Sequence, residues 1–350
     1  MPARRDTAAP GTSDATLSAP AGIAVVIPCF KVRDRVLSVI ERIPPHVDTI
    51  HVVDDACPEG TGAFVRTHCA DPRVRVLIHD ENRGVGGAMV TGYRDALATG
   101  ATVIVKIDGD GQMDPAALGR FVSPILGGRA DYTKGNRFYD IELLKEMPRR
   151  RLFGNAVLSI VNKMCSGYWN IADPTNGYTA IHAGVLAMVP LDKLDRRFFF
   201  ESDMLFRLNV LRAVVVDVPL AAHYGDEVSN LSVAWTSLEF PGKYLARFFK
   251  RIFYSYFLRD FSAGTMALLL GSVLTLAGAS FGAWRWYLSA LTGRPATSGE
   301  GMLSGLPVLV GCQLLISAVN FDIASVPSVP LHSSLAASPA DAAHARPGVR

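Results

Sequence analysis

From Ser262 to Trp284 the chain carries no charged residue, and a second uncharged run extends from Met302 to Phe321, bracketed by Glu300 and Asp322. A helix of about 20 apolar residues crosses the hydrocarbon of a bilayer. This pair therefore limits residues 262–325 to two antiparallel spans joined by a short loop, or to two helices buried in a soluble core. Run length favours a two-helix membrane anchor, because soluble cores seldom hold apolar stretches this long. The second run is the weaker candidate, since Pro307 and Gln313 each weaken a lipid-facing helix. The 19% charged residues in the 350-residue chain fall below the roughly 25% usual for soluble domains, and these two runs account for much of the deficit.

Composition closes off other classes. With 35 basic against 32 acidic residues, the net charge of +3 lacks the basic excess of a nucleic-acid binder. The five cysteines are scattered without a CxxC pair, which argues against a disulfide framework or zinc site and suits a reducing compartment. Residues 1–21, rich in Ala, Pro, Ser and Thr, read as a disordered tail. The first apolar run, Ile23–Ile27, stops at Pro28 and is too short for an export signal, so a cytoplasmic domain is expected.

Between residues 22 and 235 the pattern alternates. IAVVI, TIHVVD, VRVLIH and TVIVKID are short, β-branched and bounded by Pro, Gly or Asp, as buried parallel strands are. Helical spacing runs through Val32–Ile43, Thr61–Ala70 and Gly86–Thr99. Strands alternating with helices predict a doubly wound α/β sheet whose ligands sit beyond the carboxyl ends of the strands.

Residues 236–261 interleave Lys243, Arg247, Lys250, Arg251 and Arg259 with aromatic and aliphatic residues. Beside a membrane span such an amphipathic segment is expected in the headgroup layer; the alternative is a basic face packed on the α/β domain. Five basic residues precede the first span, while the loop after it holds only Arg285 and Arg294. The positive-inside rule then places the large domain and both termini in the cytoplasm, on a multi-pass cell (inner) membrane protein. Residues 326–350, rich in Pro, Ser and Ala, read as a flexible tail.

The chemistry centres on KIDGDGQMDP, Lys106–Pro115, directly after the strand TVIVKI. Asp108 and Asp110, flanked by Gly109 and Gly111, can approach one ligand on an open backbone. Clustered carboxylates repel unless a cation lies between them, and hard oxygen donors suit Mg²⁺ or Mn²⁺; a surface Asp–Gly turn is the plainer alternative. TIHVVDD ends in Asp54–Asp55, which fit either ribose or base recognition or a helix N-cap. ENRGVGGA, Glu81–Ala88, follows the third strand and is not GxGxxG, so it does not mark a nicotinamide site. Its Gly84, Gly86 and Gly87 open a helix whose amides can approach a nucleotide.

VVIPCF (Val25–Phe30), VVDDA (Val52–Ala56), NRGVGGA (Asn82–Ala88) and DGDGQMDP (Asp108–Pro115) together resemble family 2 glycosyltransferases of the GT-A fold. With basic helices and two C-terminal spans, the chain is similar over roughly Ile23–Phe321 to the polyprenyl-phosphate sugar transferases. That resemblance implies a mixed GT-A sheet, a nucleotide-sugar donor, a polyprenyl phosphate acceptor, a bilayer and a divalent cation. It makes Pro28 and Asp55 nucleotide contacts, with Asp54 secondary, and Asp108 the nucleotide-side carboxylate, which with Asp110 and Gln112 forms the metal site; Gly84 is a further nucleotide candidate. In KGNRF, Lys134–Phe138, Arg137 faces phosphate, and Arg149, Arg150 and Arg151 resemble the stretch that meets the lipid phosphate. Asp173, in ADPTNGYTAIH, is the candidate for orienting or deprotonating the acceptor, while Glu201 and Asp203 in FFFESDML cap a helix or face the sugar. Val85 stands where many relatives have lysine, and Asp226 and Glu227 where they place basic residues.

The expected reaction is inverting hexosyl transfer from a UDP- or GDP-sugar to the lipid phosphate. The alternatives are transfer to a glycolipid or polysaccharide hydroxyl, and a non-catalytic nucleotide-sugar sensor. Contacts through the spans would allow a homo-oligomer.

Overall fold

The structure, a computed structural model, describes residues 22–139, 149–220 and 233–336. The four apolar runs form strands β1 (Ile23–Cys29), β2 (Thr49–Asp54), β3 (Val74–Ile78) and β4 (Val103–Lys106). Helices α1 (Arg33–Glu41), α2 (Thr61–His68) and α3 (Gly84–Ala98) separate them. All four strands pair in parallel in the order β3-β2-β1-β4. β1 and β4 are buried almost throughout, as their branched residues require, whereas the edge strand β3 is only half-buried.

After α4 (Leu118–Leu126) come β5 (Tyr132–Asn136), α5 (Arg149–Ser166), β6 (Thr179–His182), α6 (Ala183–Met188), α7 (Phe200–Leu211) and β7 (Val215–Pro219). β6 runs antiparallel to β4 and β5, and β5 pairs in parallel with β7, which completes a mixed seven-stranded sheet. Each face of the sheet has its own core: Met89, Tyr93 and Met204 under α3 and α7, and Val36, Val39 and Phe121 under α1 and α4. The carboxyl ends of β1, β2 and β4 therefore meet at one end of the sheet, where the amino end of β6 also lies.

Helix α8 (Val233–Ile252) and a π-helical stretch, Phe253–Arg259, lead to α9 (Ala263–Thr292) and α10 (Ser298–Ala324), two helices long and apolar enough to cross a membrane. They form an antiparallel hairpin with small residues at the contact: a Cβ on Gly271 would lie 3.0 Å from the Gly311 carbonyl oxygen. Glu300 and Thr297 cap α10 reciprocally, and Glu300 pairs with Arg285 of α9 at 2.6 Å, which locks the far end of the hairpin.

Two expectations change. The basic stripe of α8 faces inward: Lys243 pairs with Asp195 (2.5 Å) and Arg247 with Asp203 (2.5 Å) of the α/β domain, and Arg251 with Asp322 (2.6 Å) of α10. Leu245, Phe249, Phe253 and Phe257 stay exposed at four-residue spacing, with Lys250 and Arg259 exposed among them. Nor is the segment after the second span loose throughout. Leu331–Ala336 forms α11, whose Leu331 and His332 amides donate to the buried Asp131 carboxylate at 2.8 and 2.9 Å, while the His332 ring stacks on His182. A buried acceptor with a matching helix start outweighs the breaker-rich composition around it.

Candidate active site

A cleft of about 830 Å³ opens at the carboxyl ends of β1, β2 and β4. Pro28, Asp55, Gly84, Asp108 and Asp110, all singled out in the sequence, line it. Arg197, in the loop before α7, lines it beside Val85, as do Lys31, Arg33 and Arg35.

Asp55 accepts bonds from the backbone amides of Arg83 (2.8 Å) and Gly84 (2.7 Å) and from His79 Nδ1 (2.8 Å). Its carboxylate thus builds the turn into α3, which the left-handed φ of +78° at Gly84 permits. The glycines of this turn serve packing: a Cβ on Gly84 would lie 2.5 Å from the Arg196 carbonyl oxygen, and one on Gly86 would collide with that of Asp195. Their closeness is to the loop before α7, a role the glycine-rich sequence did not distinguish from nucleotide approach. Asp54 is excluded from the cleft. Its buried carboxylate takes the amides of Cys57 (2.7 Å) and Gly62 (2.5 Å), which ties the end of β2 to the first turn of α2.

Asp108 and Asp110 follow β4 on the Gly-rich turn. The Gln112 amide donates to Asp110 Oδ1 at 3.0 Å. Burial pushes the Asp110 carboxyl above its ordinary value, and the charge of Asp108 adds to the rise. This repulsion between hard oxygen donors fits a divalent cation. Among the described residues no three His, Cys, Asp or Glu side chains gather. A cation here would thus rest on two carboxylates, Gln112 and ligand oxygens, the open coordination that suits Mg²⁺ with phosphates.

Beneath the cleft lies charge that the sequence reading missed. Lys106 Nζ, fully buried, contacts Asp108 Oδ1 (2.9 Å), Glu201 Oε1 (3.3 Å) and the Gly177 carbonyl (3.2 Å). Burial works against its charge, but the two carboxylates outweigh it and raise its pKa. Glu201 is thereby tied to the Asp108 side of the site. Lys134 continues the row on β5, reached through Thr179 of β6, and donates to the Asn176 carbonyl at 2.5 Å. Its burial pushes the ammonium down to about 8, against the pull of Glu201 and Asp173. A lone lysine in each of two otherwise uncharged strands, last in β4 and central in β5, was the available signal.

Arg137 and Asp173 are brought together. Arg137 Nε and Nη2 bond the two carboxylate oxygens at 2.7 and 3.1 Å, and Thr175 Oγ1 donates to Oδ1 at 3.2 Å. Burial raises the Asp173 carboxyl, but the hydrogen bonds and charge of Arg137 overcome it and leave the group below the ordinary carboxylate range. Asp173 thus holds a half-exposed guanidinium by two bonds. Asp217 on β7, also missed, holds both sides of this pair: its Oδ2 accepts from the Ala172 amide (2.9 Å) and Asn136 Nδ2 (3.0 Å). Its buried Oδ1 has no partner among the described residues.

Asp203 departs from the expectation of a sugar contact. It is fully buried, bonded to Arg207 (3.0 Å), Arg247 (2.5 Å) and the Asp195 amide (3.0 Å), and so fixes α8 to α7. Arg149, Arg150 and Arg151 begin α5, and their side chains lie outside the described residues, as do Asp226 and Glu227. Gln112 is exposed at the cleft turn.

Residues 24–188 match glycosyl transferase family 2. The chain is 30% identical over 225 residues to the polyprenol monophosphomannose synthase of Mycolicibacterium smegmatis, covering 63% of this chain and 84% of that one. It is 34% identical over 178 residues to the undecaprenyl-phosphate mannosyltransferase of Micrococcus luteus, covering 50% and 72%. A third relative, at 25% over 216 residues, 58% of this chain and 86% of that one, is the UDP-N-acetylglucosamine–dolichyl-phosphate N-acetylglucosaminyltransferase of Methanococcus voltae. The chain belongs to glycosyl transferase family 2. Its mixed sheet is of the GT-A type, it is a glycosyltransferase, and its similar relatives are polyprenyl-phosphate sugar transferases.

Proposed function

We propose that the protein transfers a hexose, with inversion, from a UDP- or GDP-sugar to a polyprenyl phosphate at the cytoplasmic face of the membrane. The observation that carries this reading is an apolar surface without use in water. Phe153, Val157, Ile160 and Met164 are exposed along α5, Leu245 and Phe249 along the neighbouring α8, and Phe253 and Phe257 in the π-helical stretch that follows it toward the apolar hairpin. Helices of this kind lie in the headgroup layer with their apolar faces down. A polyprenyl chain must be met there, because each CH₂ held in hydrocarbon contributes about 0.8 kcal/mol.

In this reading the nucleotide lies in the cleft over Pro28 and Asp55, with the sugar toward Glu201. Asp108, Asp110 and Gln112 would hold a divalent cation that neutralises the departing diphosphate. Arg137 binds the acceptor phosphate, a task for which a guanidinium pinned by Asp173 is preorganised. The phosphate is already anionic near neutral pH and attacks in line from the face opposite the nucleotide. No strong base is needed, which agrees with an Asp173 that is paired and acidic. A hydroxyl acceptor would need that base.

The full chain, reconstituted in vesicles with Mg²⁺ or Mn²⁺, is to be screened with labelled UDP- and GDP-sugars against polyprenyl phosphate and against a glycolipid. Label extracted as polyprenyl phosphate sugar is expected. Label appearing only on the glycolipid hydroxyl overturns the acceptor assignment, and donor binding without turnover turns the reading to a sensor.

A further inference from the structure

The last turn of α10 holds a carboxylate that belongs to four parts of the molecule at once. Asp322 Oδ1 accepts from Arg251 Nη1 of α8 (2.6 Å) and from the Tyr256 hydroxyl of the π-helical stretch (2.9 Å). Its Oδ2 accepts from Arg251 Nη2 (3.0 Å) and from Trp169 Nε1, in the loop after α5 (2.8 Å). Arg251, itself buried, donates further to the Met164 carbonyl at the end of α5 (2.7 Å). The second apolar helix is thus joined to both helices whose outward faces are apolar, and to the α/β domain.

A single packing contact would leave the domain free to rock on the hairpin. A bidentate ion pair with two further donors fixes direction as well as distance, since each donor bonds from a different element. Removing Arg251 or Asp322 leaves the other's charge buried without compensation, whereas removing a neutral donor loosens the cluster without breaking the pair.

We propose that Asp322 is a positioning residue for transfer: it sets the height and tilt of the cleft over the bilayer, so that a lipid-borne phosphate meets Arg137. This rests on the lipid-acceptor reading above. It predicts that loss of the cluster harms reaction with an acceptor confined to the membrane and spares reaction with one that diffuses to the cleft.

The test uses the full chain in vesicles, as wild type, Asp322→Asn, Asp322→Glu and Trp169→Phe, with a long polyprenyl phosphate in the bilayer and a short, water-soluble isoprenyl phosphate. For Asp322→Asn the KM for the long acceptor rises about tenfold, while its kcat, the donor KM and the KM for the short acceptor stay within twofold. Asp322→Glu restores part of the loss, and Trp169→Phe, which removes one bond and leaves the ion pair, shifts the long-acceptor KM in the same direction by less. A parallel loss with both acceptors, or no change with either, overturns the proposal. A second readout is independent of turnover: a photo-crosslinking residue at position 249 attaches to bilayer lipid in the wild type and loses that attachment in Asp322→Asn. Should the wild type label no polyprenyl phosphate, the acceptor reading fails while the crosslinking still decides the tether, and unchanged crosslinking overturns it.

Discussion

Arg137 and Asp173 illustrate how a residue's role depends on its partner. From sequence, Asp173 stood between orienting and deprotonating the acceptor; the bidentate pair with Arg137 makes it an anchor. Arg137→Lys keeps the charge but loses the fork, and Asp173→Asn releases it. Both are expected to lower kcat/KM for the lipid phosphate roughly 10- to 100-fold, the worth of a hydrogen bond to a charged group, with the donor KM little changed. Steady-state kinetics with each substrate varied in turn checks this, and an altered donor KM alone would contradict it. Asp217 gives a pH test. Burial raises its carboxyl to about 6 from an ordinary 3.8. Between those values the folded protein holds more protons than the unfolded chain, so stability falls as pH rises from about 4 to 6 and the cost is complete above 6. Asp217→Asn removes that slope and is expected to gain about 2 kcal/mol at neutral pH relative to acid; unfolding midpoints measured from pH 4 to 7 would show it. The residues legible in sequence were those on turns after strands, Asp55, Asp108 and Asp110, because strand ends point to the cleft in any sheet of this kind. Asp54 and Asp203 were not separable from them, since a carboxylate spent on internal hydrogen bonds or ion pairs and one that meets a ligand share the same local pattern.

At the scale of elements, the glycine-rich turn into α3 and the loop before α7 form one packed unit. The Gly87 amide donates to the Arg196 carbonyl at 3.1 Å, and Gly86 has no room for a side chain against Asp195. Gly86→Ala is therefore expected to destabilise by about 1–3 kcal/mol through overpacking. It also moves Arg197 and weakens nucleotide binding, as calorimetry with a nucleotide diphosphate would register. An unaltered unfolding midpoint would show that the loop yields. Periodicity located α1, α2 and α3 and the strands between them, because apolar spacing reports burial directly. It could not orient α8. Lys243, Arg247 and Arg251 recur at four-residue intervals and so do Leu245, Phe249 and Phe253, and only the acidic partners Asp195, Asp203 and Asp322, distant in sequence, decide which stripe turns inward.

Across the whole molecule, the parallel run of β1 to β4 followed from alternation, whereas the strand order, the antiparallel β6 and the pairing of β5 with β7 did not, because they depend on contacts between segments far apart in the chain. The hairpin was evident from its uncharged runs, but its attachment was not, for nothing local in Leu331–Ala336 announces a partner at Asp131. That attachment bears on assembly. Asp131 is enclosed, and its carboxylate is completed by amides of a segment made after both apolar helices. A nascent chain that has threaded only one of the two helices through a bilayer strands this segment on the far side and leaves Asp131 an unfinished acceptor. If the two apolar helices span a membrane, α11 can reach Asp131 only when the hairpin has gone in and come back.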